Sequence, residues 1–147
     1  MSEPYTAISV VMMPEHANPI PTRLPGMEST PLYATVFGGV ILSYIDMAGA
    51  IAARREVLLR GGNSKAYFLT VAINRVEFRK PVLVGDVVKF QCTAAKWDRT
   101  SITMHVSVLA ERGPEAIHVT NAEVVYVAVD PDSPDRRPVP LMPALPG

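Results

Sequence analysis

The sequence predicts an α+β fold in which an antiparallel β-sheet wraps around one long α-helix. A helical stretch that is apolar on nearly all sides occupies the first half of the chain. Runs rich in valine, isoleucine, threonine and aromatic residues, which partly alternate with polar residues, follow it. Such a helix must bury its apolar surface, and these strands form the one sheet available to it.

The predicted elements follow a simple order along the chain. A first strand near 5–13 precedes an irregular, proline-rich loop at about 14–31. The helix is expected from about Gly39 to Leu59, with a glycine pair after its last turn. Because its apolar residues cover nearly the whole circumference, we expect it to be buried on most sides. Four strands are then expected as a meander, at 67–78, 87–97, 101–111 and 117–130.

Proline marks the limits of the folded body. Of the 14 prolines, most lie either before residue 32 or after residue 130. The sequence therefore predicts one domain over 1–130 with an inserted loop at about 14–31. It also predicts a proline-rich C-terminal tail at 131–147, extended or loosely ordered.

Composition narrows the class of function. The chain has 147 residues, enough for one domain with its own core. Lys+Arg and Asp+Glu both number 14, so no basic excess indicates a nucleic-acid partner. Charged residues make up 19%, below the usual share of about 25%, which favours a surface partly buried against another subunit. The one cysteine, Cys92, is interpreted as a small buried hydrophobe, since no histidine lies near it in sequence.

A membrane span is not expected. The apolar run at 30–53 is long enough to raise that possibility, but it carries Asp46 at its centre. An aspartate there costs roughly 3 kcal/mol on insertion, and the N-terminus shows no basic region followed by an apolar stretch. We therefore expect a cytoplasmic protein without a membrane partner.

Asp46 is also the residue that suggests chemistry, because it is the only charge in that run. A carboxylate withdrawn from water normally neutralises or finds a partner. Upstream, Gly38 and Gly39 open the helical stretch, where backbone N–H groups lack partners within the helix and suit an oxygen-bearing ligand. An acid and an oxyanion-binding turn on one segment indicate acyl chemistry. The alternative is a structural aspartate paired with an arginine, beside a glycine turn that only allows close packing.

Several local motifs accompany this pair: Met-Pro-Glu-His-Ala-Asn at 13–18, Val-Phe-Gly-Gly at 36–39, Ile-Asp-Met-Ala-Gly-Ala at 45–50, a run ending Pro-Val-Leu-Val-Gly-Asp at 76–86, Thr-Ser-Ile at 100–102 and Tyr-Val-Ala-Val-Asp at 126–130. Together with the order of elements, they resemble the hotdog-fold acyl-CoA thioesterases, in particular small bacterial single-domain hydrolases. The resemblance covers nearly the whole folded body. It implies the hotdog fold and the hydrolysis of acyl-CoA to a free acid and CoA.

The resemblance also implies roles for particular residues. Asp46 would act as general base or nucleophile, Gly38 and Gly39 would bind the carbonyl oxygen, and Asn18 would orient water or substrate. The active sites would be shared between subunits of a homodimer or higher homo-oligomer. Candidate substrate-binding residues, with solvated strand-end charge or an ordinary strand threonine as the alternative, are Thr70, Arg75, Arg79, Lys80, Arg99, Thr100 and Ser101. No cofactor is implied beyond the CoA of the substrate, and the scattered histidines give no metal-ligand spacing.

One departure from the family pattern concerns Asn18. An apparent insertion at 19–32 separates it from Phe37, whereas family members join the two motifs through a few residues. Either Asn18 still reaches the site and the insertion loops out, or the family asparagine is lost.

Two other functions stay open on the same scaffold. An enoyl-CoA hydratase or dehydratase would usually carry a histidine beside the central helix, and none lies between Val36 and Leu59. A non-catalytic acyl-CoA-binding or regulatory protein would bind CoA without turnover.

Overall fold

The computed structural model describes residues 3–18 and 35–142. The predicted insertion at 19–32 and the end of the predicted tail lie outside these residues. The elements are β1 Tyr5–Val11, α1 Gly38–Leu59, β2 Tyr67–Asn74, β3 Val87–Trp97, β4 Ser101–Arg112 and β5 Glu115–Val129, with a short 3-10 turn at Pro14–His16. The α+β fold class predicted from the sequence is confirmed: one long helix packs against one antiparallel sheet.

The strand order corrects the predicted meander. All pairs are antiparallel, and the order across the sheet is β1-β3-β4-β5-β2. Only β3, β4 and β5 form a meander, because β2 pairs with β5 at the far edge. Strand β2 also ends at Asn74, earlier than predicted, since Arg75 adopts a φ of 41° that a strand does not continue through. The chain then runs on beside β5, where the Arg79 N–H donates to the Val119 carbonyl at 3.0 Å.

Within the part of the chain that the structure describes, helix α1 packs against the sheet with one side. The side facing the sheet is fully buried at Ile41, Ile45 and Ala48, among others. The expectation that the helix is buried on most sides is therefore wrong for a single chain, since Met47 is 48% exposed and Ile51 45% exposed. One sheet covers one face of a helix, and the remaining apolar face is left for another surface.

The C-terminal segment is hydrogen-bonded to the folded body. Val139 N–H donates to the Ala128 carbonyl at 2.9 Å, and Leu141 N–H donates to the Arg99 carbonyl at 2.9 Å. Leu141 itself is fully buried in the core. Over 131–142 the chain is therefore anchored, partly as an extended segment beside β5. Of the two expected states, extended or loosely ordered, this corresponds to the extended one.

Within the described residues, no helix is both long enough and apolar enough to cross a membrane.

Candidate active site

The Asp46 carboxylate is held by a hydroxyl group and not by a cation. It lies on α1, half-buried, and accepts a hydrogen bond from the Thr70 hydroxyl of β2 at 2.5 Å. None of the ion pairs among the described residues includes Asp46. The alternative interpretation of Asp46 as the partner of a buried arginine therefore does not hold. A carboxylate held by a neutral hydrogen-bond donor keeps lone pairs for a proton or a substrate.

Gly38 and Gly39 are the first two residues of α1. Phe37 precedes them in an extended conformation, with φ −63° and ψ 132°, so the chain turns into the helix at this point. The Phe37 N–H donates to the His16 carbonyl at 2.9 Å, but the helix offers no acceptor to the two glycine N–H groups. Among the contacts of the described chain, the Phe78 ring lies 3.5 Å from where a Cβ of Gly38 would be. Donors without partners and the positive end of the helix dipole suit an oxyanion.

Asn18 lies next to this helix start in space. Its N–H donates to the Thr35 carbonyl at 2.8 Å, and Ala17 forms an antiparallel bridge with Val36. Asn18 and Thr35, which lie on either side of the apparent insertion, are therefore hydrogen-bonded to each other, and Thr35 is two residues before Phe37. The backbone of Asn18 therefore lies beside the segment that leads into α1. The predicted insertion at 19–32 lies outside the described residues, and the approach of Asn18 to Asp46 stays a prediction.

The loop at 81–86 fixes the segment that leads into α1. Val36 N–H donates to the Val82 carbonyl at 2.8 Å. The Asp86 side chain, 3% exposed, accepts from the Leu83 N–H at 2.9 Å and from Arg112. Burial alone would raise the pKa of Asp86, but these hydrogen bonds and the charge of Arg112 outweigh it and lower that pKa below its usual value. A charged, hydrogen-bonded anchor thus supports the turn beneath the glycine pair.

The predicted substrate-binding residues fall into separate groups. Thr70 contacts Asp46 of its own chain. Arg75, Arg79 and Lys80 are exposed on the segment after β2. A third group lies at the turn between β3 and β4 and consists of Arg99, Thr100 and Ser101. Ser101 pairs with Val127 near one end of β5, whereas Arg79 bonds Val119 near the other end. Within one chain, therefore, the basic residues do not form one cluster.

Two neighbouring cavities lie beside Arg75 on the segment after β2. One, of about 280 Å³, is lined by Arg75, Glu77, Arg79, Thr120 and Asn121. The other, of about 310 Å³, shares Arg75 and Asn121 with it and is also lined by Asn74, His105, Ala122 and Glu123. Arg75 and Glu77 also form a solvent-exposed ion pair at 3.5 Å, so the positive charge there is partly compensated.

A larger cavity of about 400 Å³ lies away from Asp46 and the glycine pair. It is lined by 61–65 together with Pro140 and Met142, beyond the C-terminal end of α1. Asp46 is about 20 Å from there along the helix, at a rise of about 1.5 Å per residue. This cavity is therefore separate from the site around Asp46 and the glycine pair.

The remaining reactive groups offer no competing site. Cys92 is buried, and its burial raises the pKa of the thiol to about 12, which leaves it protonated and unreactive at neutral pH. The described residues contain no group of three or more histidine, cysteine, aspartate or glutamate side chains placed to hold a metal ion. The absence of a metal from the mechanism stays a prediction.

Tyr126 and Gly49 are two residues at the site to which the sequence analysis gives no role beyond their motifs. The Tyr126 hydroxyl donates to the backbone carbonyl of Asp46 at 2.6 Å. A Cβ on Gly49 would collide with that hydroxyl. Tyr126 lies 80 positions from Asp46 in sequence, and local periodicity carries no information on a contact of that separation. A glycine inside a long helix was the one available signal, since it costs about 1 kcal/mol relative to alanine and calls for a packing reason.

With this geometry established, comparison with known proteins identifies the family. The family model of the thioesterase superfamily matches residues 33–117. The acyl-CoA thioester hydrolase YciA of Salmonella typhimurium is 35% identical over 111 residues, which cover 72% of this chain and 77% of that protein. The chain belongs to the thioesterase superfamily. YciA of Escherichia coli K12 is 32% identical over 106 residues, covering 69% and 75% of the two chains.

Solved structures of thioesterases share the fold. A hexameric hotdog-fold thioesterase of Campylobacter jejuni is 33% identical with a TM-score of 0.70, over 92% of this chain and 88% of that one. A hexameric thioesterase of Yersinia pestis is 27% identical with a TM-score of 0.71, over 95% and 98%. An aspartate-to-alanine variant of a hexameric, broad-specificity acyl-coenzyme A thioesterase is 28% identical with a TM-score of 0.71, over 95% and 87%. The hotdog fold expected for this thioesterase is confirmed.

Proposed function

We propose that this protein hydrolyses acyl-CoA thioesters to a free acid and CoA, with Asp46 as the catalytic carboxylate. The observation that carries the proposal is the state of Asp46, a half-buried carboxylate that the Thr70 hydroxyl orients and that has no cationic partner among the described residues. It lies on a helix whose first N–H groups find no acceptor within the helix. The YciA relatives, which act on acyl-CoA thioesters, support the choice of substrate.

The chemistry follows from these groups. As a general base, Asp46 takes a proton from water, whose oxygen attacks the thioester carbonyl carbon. The carbonyl oxygen becomes an oxyanion, which the N–H groups of Gly38 and Gly39 stabilise by roughly 3 kcal/mol. Collapse of the intermediate breaks the C–S bond, and the CoA thiolate leaves and is protonated. As a nucleophile, Asp46 would itself form an anhydride that water then cleaves. No cofactor other than the CoA of the substrate is required in either route.

We further propose that each site is completed by a second copy of the chain. Gly39 and Asp46 are separated by about 10 Å along the helix axis, a spacing that favours a site shared between chains. Apolar residues beside them are exposed in the single chain: Phe37 and Phe78 are both 44% exposed near the glycines, and Met47 is 48% exposed next to Asp46. The hexameric thioesterases that this chain resembles support an assembly of this kind.

Strand β2 is the edge through which we propose that two copies pair. It lies at the end of the sheet, so one side of its backbone has no strand partner among residues 3–18 and 35–142. Tyr67 is 62% exposed and Val71 58% exposed on this strand. An exposed edge strand with apolar side chains is a ready template for pairing with another strand. Because β2 also carries Thr70, pairing there would bring the second copy directly to Asp46.

The phosphates of CoA are proposed to bind at the cavities beside Arg75 and Arg79. Thr120 and Asn121 line the same surface and provide further hydrogen-bonding groups. In a paired assembly, Arg99 and Thr100 of a second copy would supply the other basic and polar groups. Replacement of Arg79 by Ala is expected to raise KM for acyl-CoA more than KM for a short thioester without a nucleotide. An equal effect on both would remove Arg79 from phosphate binding.

The decisive test is replacement of Asp46 by Asn. Thiol release from acyl-CoA substrates is followed with a thiol-reactive dye. Loss of a general base is expected to lower kcat by roughly 10²-fold or more. Asp98→Asn is the matched control, because Asp98 is an exposed aspartate in a surface ion pair with Lys96. If Asp46→Asn and Asp98→Asn both retain wild-type kcat, Asp46 is not the catalytic group.

The two catalytic routes separate under rapid quenching. With a slowly hydrolysed acyl-CoA, a nucleophilic Asp46 leaves a peptide heavier by the acyl group, whereas a general base leaves the peptide unmodified. Treatment with a chelator should leave turnover unchanged in both routes. The cytoplasmic location stays a prediction of the sequence, which cell fractionation tests.

A further inference from the structure

The backbone of the helix turn that carries Asp46 is bonded to the sheet. Tyr126 of β5 is fully buried, and its hydroxyl donates to the Asp46 carbonyl at 2.6 Å. In an α-helix the carbonyl of residue 46 and the N–H of residue 50 are each other's partners. The Tyr126 hydroxyl therefore binds the same carbonyl oxygen that accepts the helix hydrogen bond from residue 50.

Gly49 makes this approach possible. It is buried one turn after Asp46, and a Cβ there would collide with the Tyr126 hydroxyl and lie 3.0 Å from the ring Cζ. Glycine inside a helix costs about 1 kcal/mol relative to alanine. The close contact with Tyr126 gives the physical reason for that cost at this position.

The sheet register places Tyr126 and Thr70 side by side. The two residues are directly paired between β2 and β5. Thr70 donates to the Asp46 carboxylate and Tyr126 to the Asp46 backbone carbonyl. Asp46 is thus held at two points, one on its side chain and one on its main chain, by a single cross-strand pair.

The hydroxyl keeps its proton under all working conditions. Burial raises the pKa of Tyr126 well above its usual range, and the nearby negative charge of Asp46 raises it further. Tyr126 therefore acts as a stable hydrogen-bond donor and takes no part in proton transfer.

We propose that Tyr126 is a positioning residue for Asp46. Its hydroxyl reaches the backbone of the helix turn through the space left by Gly49 and thereby aligns Asp46. The inference rests on the proposed catalytic role of Asp46. Because Tyr126 is fully buried, it acts on the reaction through Asp46 and not by contact with substrate. Misplacement of a catalytic group by a fraction of an ångström lowers turnover while leaving substrate binding intact.

The first test is Tyr126→Phe, which removes the hydroxyl and keeps the ring. We expect kcat to fall about tenfold while KM for acyl-CoA changes by less than about twofold. Val57→Ala is the matched control, since Val57 is buried on the same helix three turns away and its truncation lowers Tm without touching the Asp46 turn. The proposal is overturned if Tyr126→Phe retains wild-type kcat, or if Val57→Ala loses as much kcat.

The second test is a double-mutant cycle that needs no activity. Gly49→Ala is expected to lower Tm strongly in the wild-type background, and by less than half as much in Tyr126→Phe, because the hydroxyl that the new methyl group would strike is gone. Equal losses in both backgrounds would contradict the contact on which the proposal rests. If the cycle shows coupling but Asp46→Asn is fully active, the proposed function fails while the contact stands. If Asp46→Asn is inactive and Tyr126→Phe is not impaired, only the positioning role fails.

Discussion

Arg112 donates hydrogen bonds from two of its nitrogens to the Asp86 carboxylate, Nε to Oδ1 at 3.0 Å and Nη2 to Oδ2 at 2.8 Å. The same Nη2 lies 3.2 Å from the Pro81 carbonyl oxygen. The pair closes the loop at 81–86, whose Val82 carbonyl holds Val36 just before the glycine turn. A planar, two-point contact of this kind is specific to arginine.

Replacement of Arg112 by Met should therefore destabilise the protein in a pH-dependent way. At neutral pH it leaves the buried Asp86 carboxylate unpaired, at a cost of about 3 kcal/mol in the free energy of unfolding. Because the folded pKa of Asp86 lies below its unfolded value, the wild-type contribution is present above about pH 4 and is lost as the pH falls through the folded pKa. The difference in the free energy of unfolding between wild type and variant should become smaller as the pH falls. Urea unfolding at neutral and acidic pH measures both effects, and a deficit that grows toward acid would contradict the account.

Thr70→Val tests the hydroxyl that orients the Asp46 carboxylate. The substitution keeps the shape of the side chain and removes the 2.5 Å hydrogen bond. We expect kcat for thiol release to fall about tenfold, because the carboxylate loses the contact that fixes its rotamer. Thr70→Ser, which keeps the hydroxyl, should retain most of the activity. Equal activity of the Val and Ser variants would show that the hydroxyl has no part in turnover.

Val71→Lys tests the pairing of two copies through β2. A lysine at this exposed position of the edge strand opposes close pairing by charge and by its long side chain. The variant should sediment as a smaller species than wild type, with thiol release reduced at least tenfold if the sites are shared. Thr6→Lys on β1, the opposite edge strand, is the control and should assemble normally. An active, fully dissociated Val71→Lys protein would argue against shared sites.

Leu141→Ala tests the anchoring of the C-terminal segment. Leu141 is 1% exposed, and its backbone bonds both Asn63 and Arg99. Truncation of a fully buried leucine costs about 3 kcal/mol, which chemical unfolding resolves well. Pro140→Ala, at an exposed neighbour, should change stability by less than about 0.5 kcal/mol. A loss no larger than that in Leu141→Ala would show that the segment is not part of the folded core.

Local sequence signals predicted the elements well, and long-range contacts escaped them. The bounds of β3 coincide with the prediction, and α1 begins one residue earlier than expected. Asp46 stood out because one charge in an apolar run needs a reason. The position of β2 beside β5 was missed, since residues that pair across the sheet are set by tertiary packing. The Tyr126 and Leu141 contacts depend on the same non-local packing, which periodicity does not encode.

The bond between Asn18 and Thr35 has a practical consequence for changing the enzyme. Since these two residues close the gap themselves, the stretch that joins them can vary in length without shifting the start of the helix. Each halving of such a stretch changes its closure entropy by only about 0.6 kcal/mol. Grafts of different size at this junction are therefore expected to leave the start of α1 and the rest of the scaffold as they are.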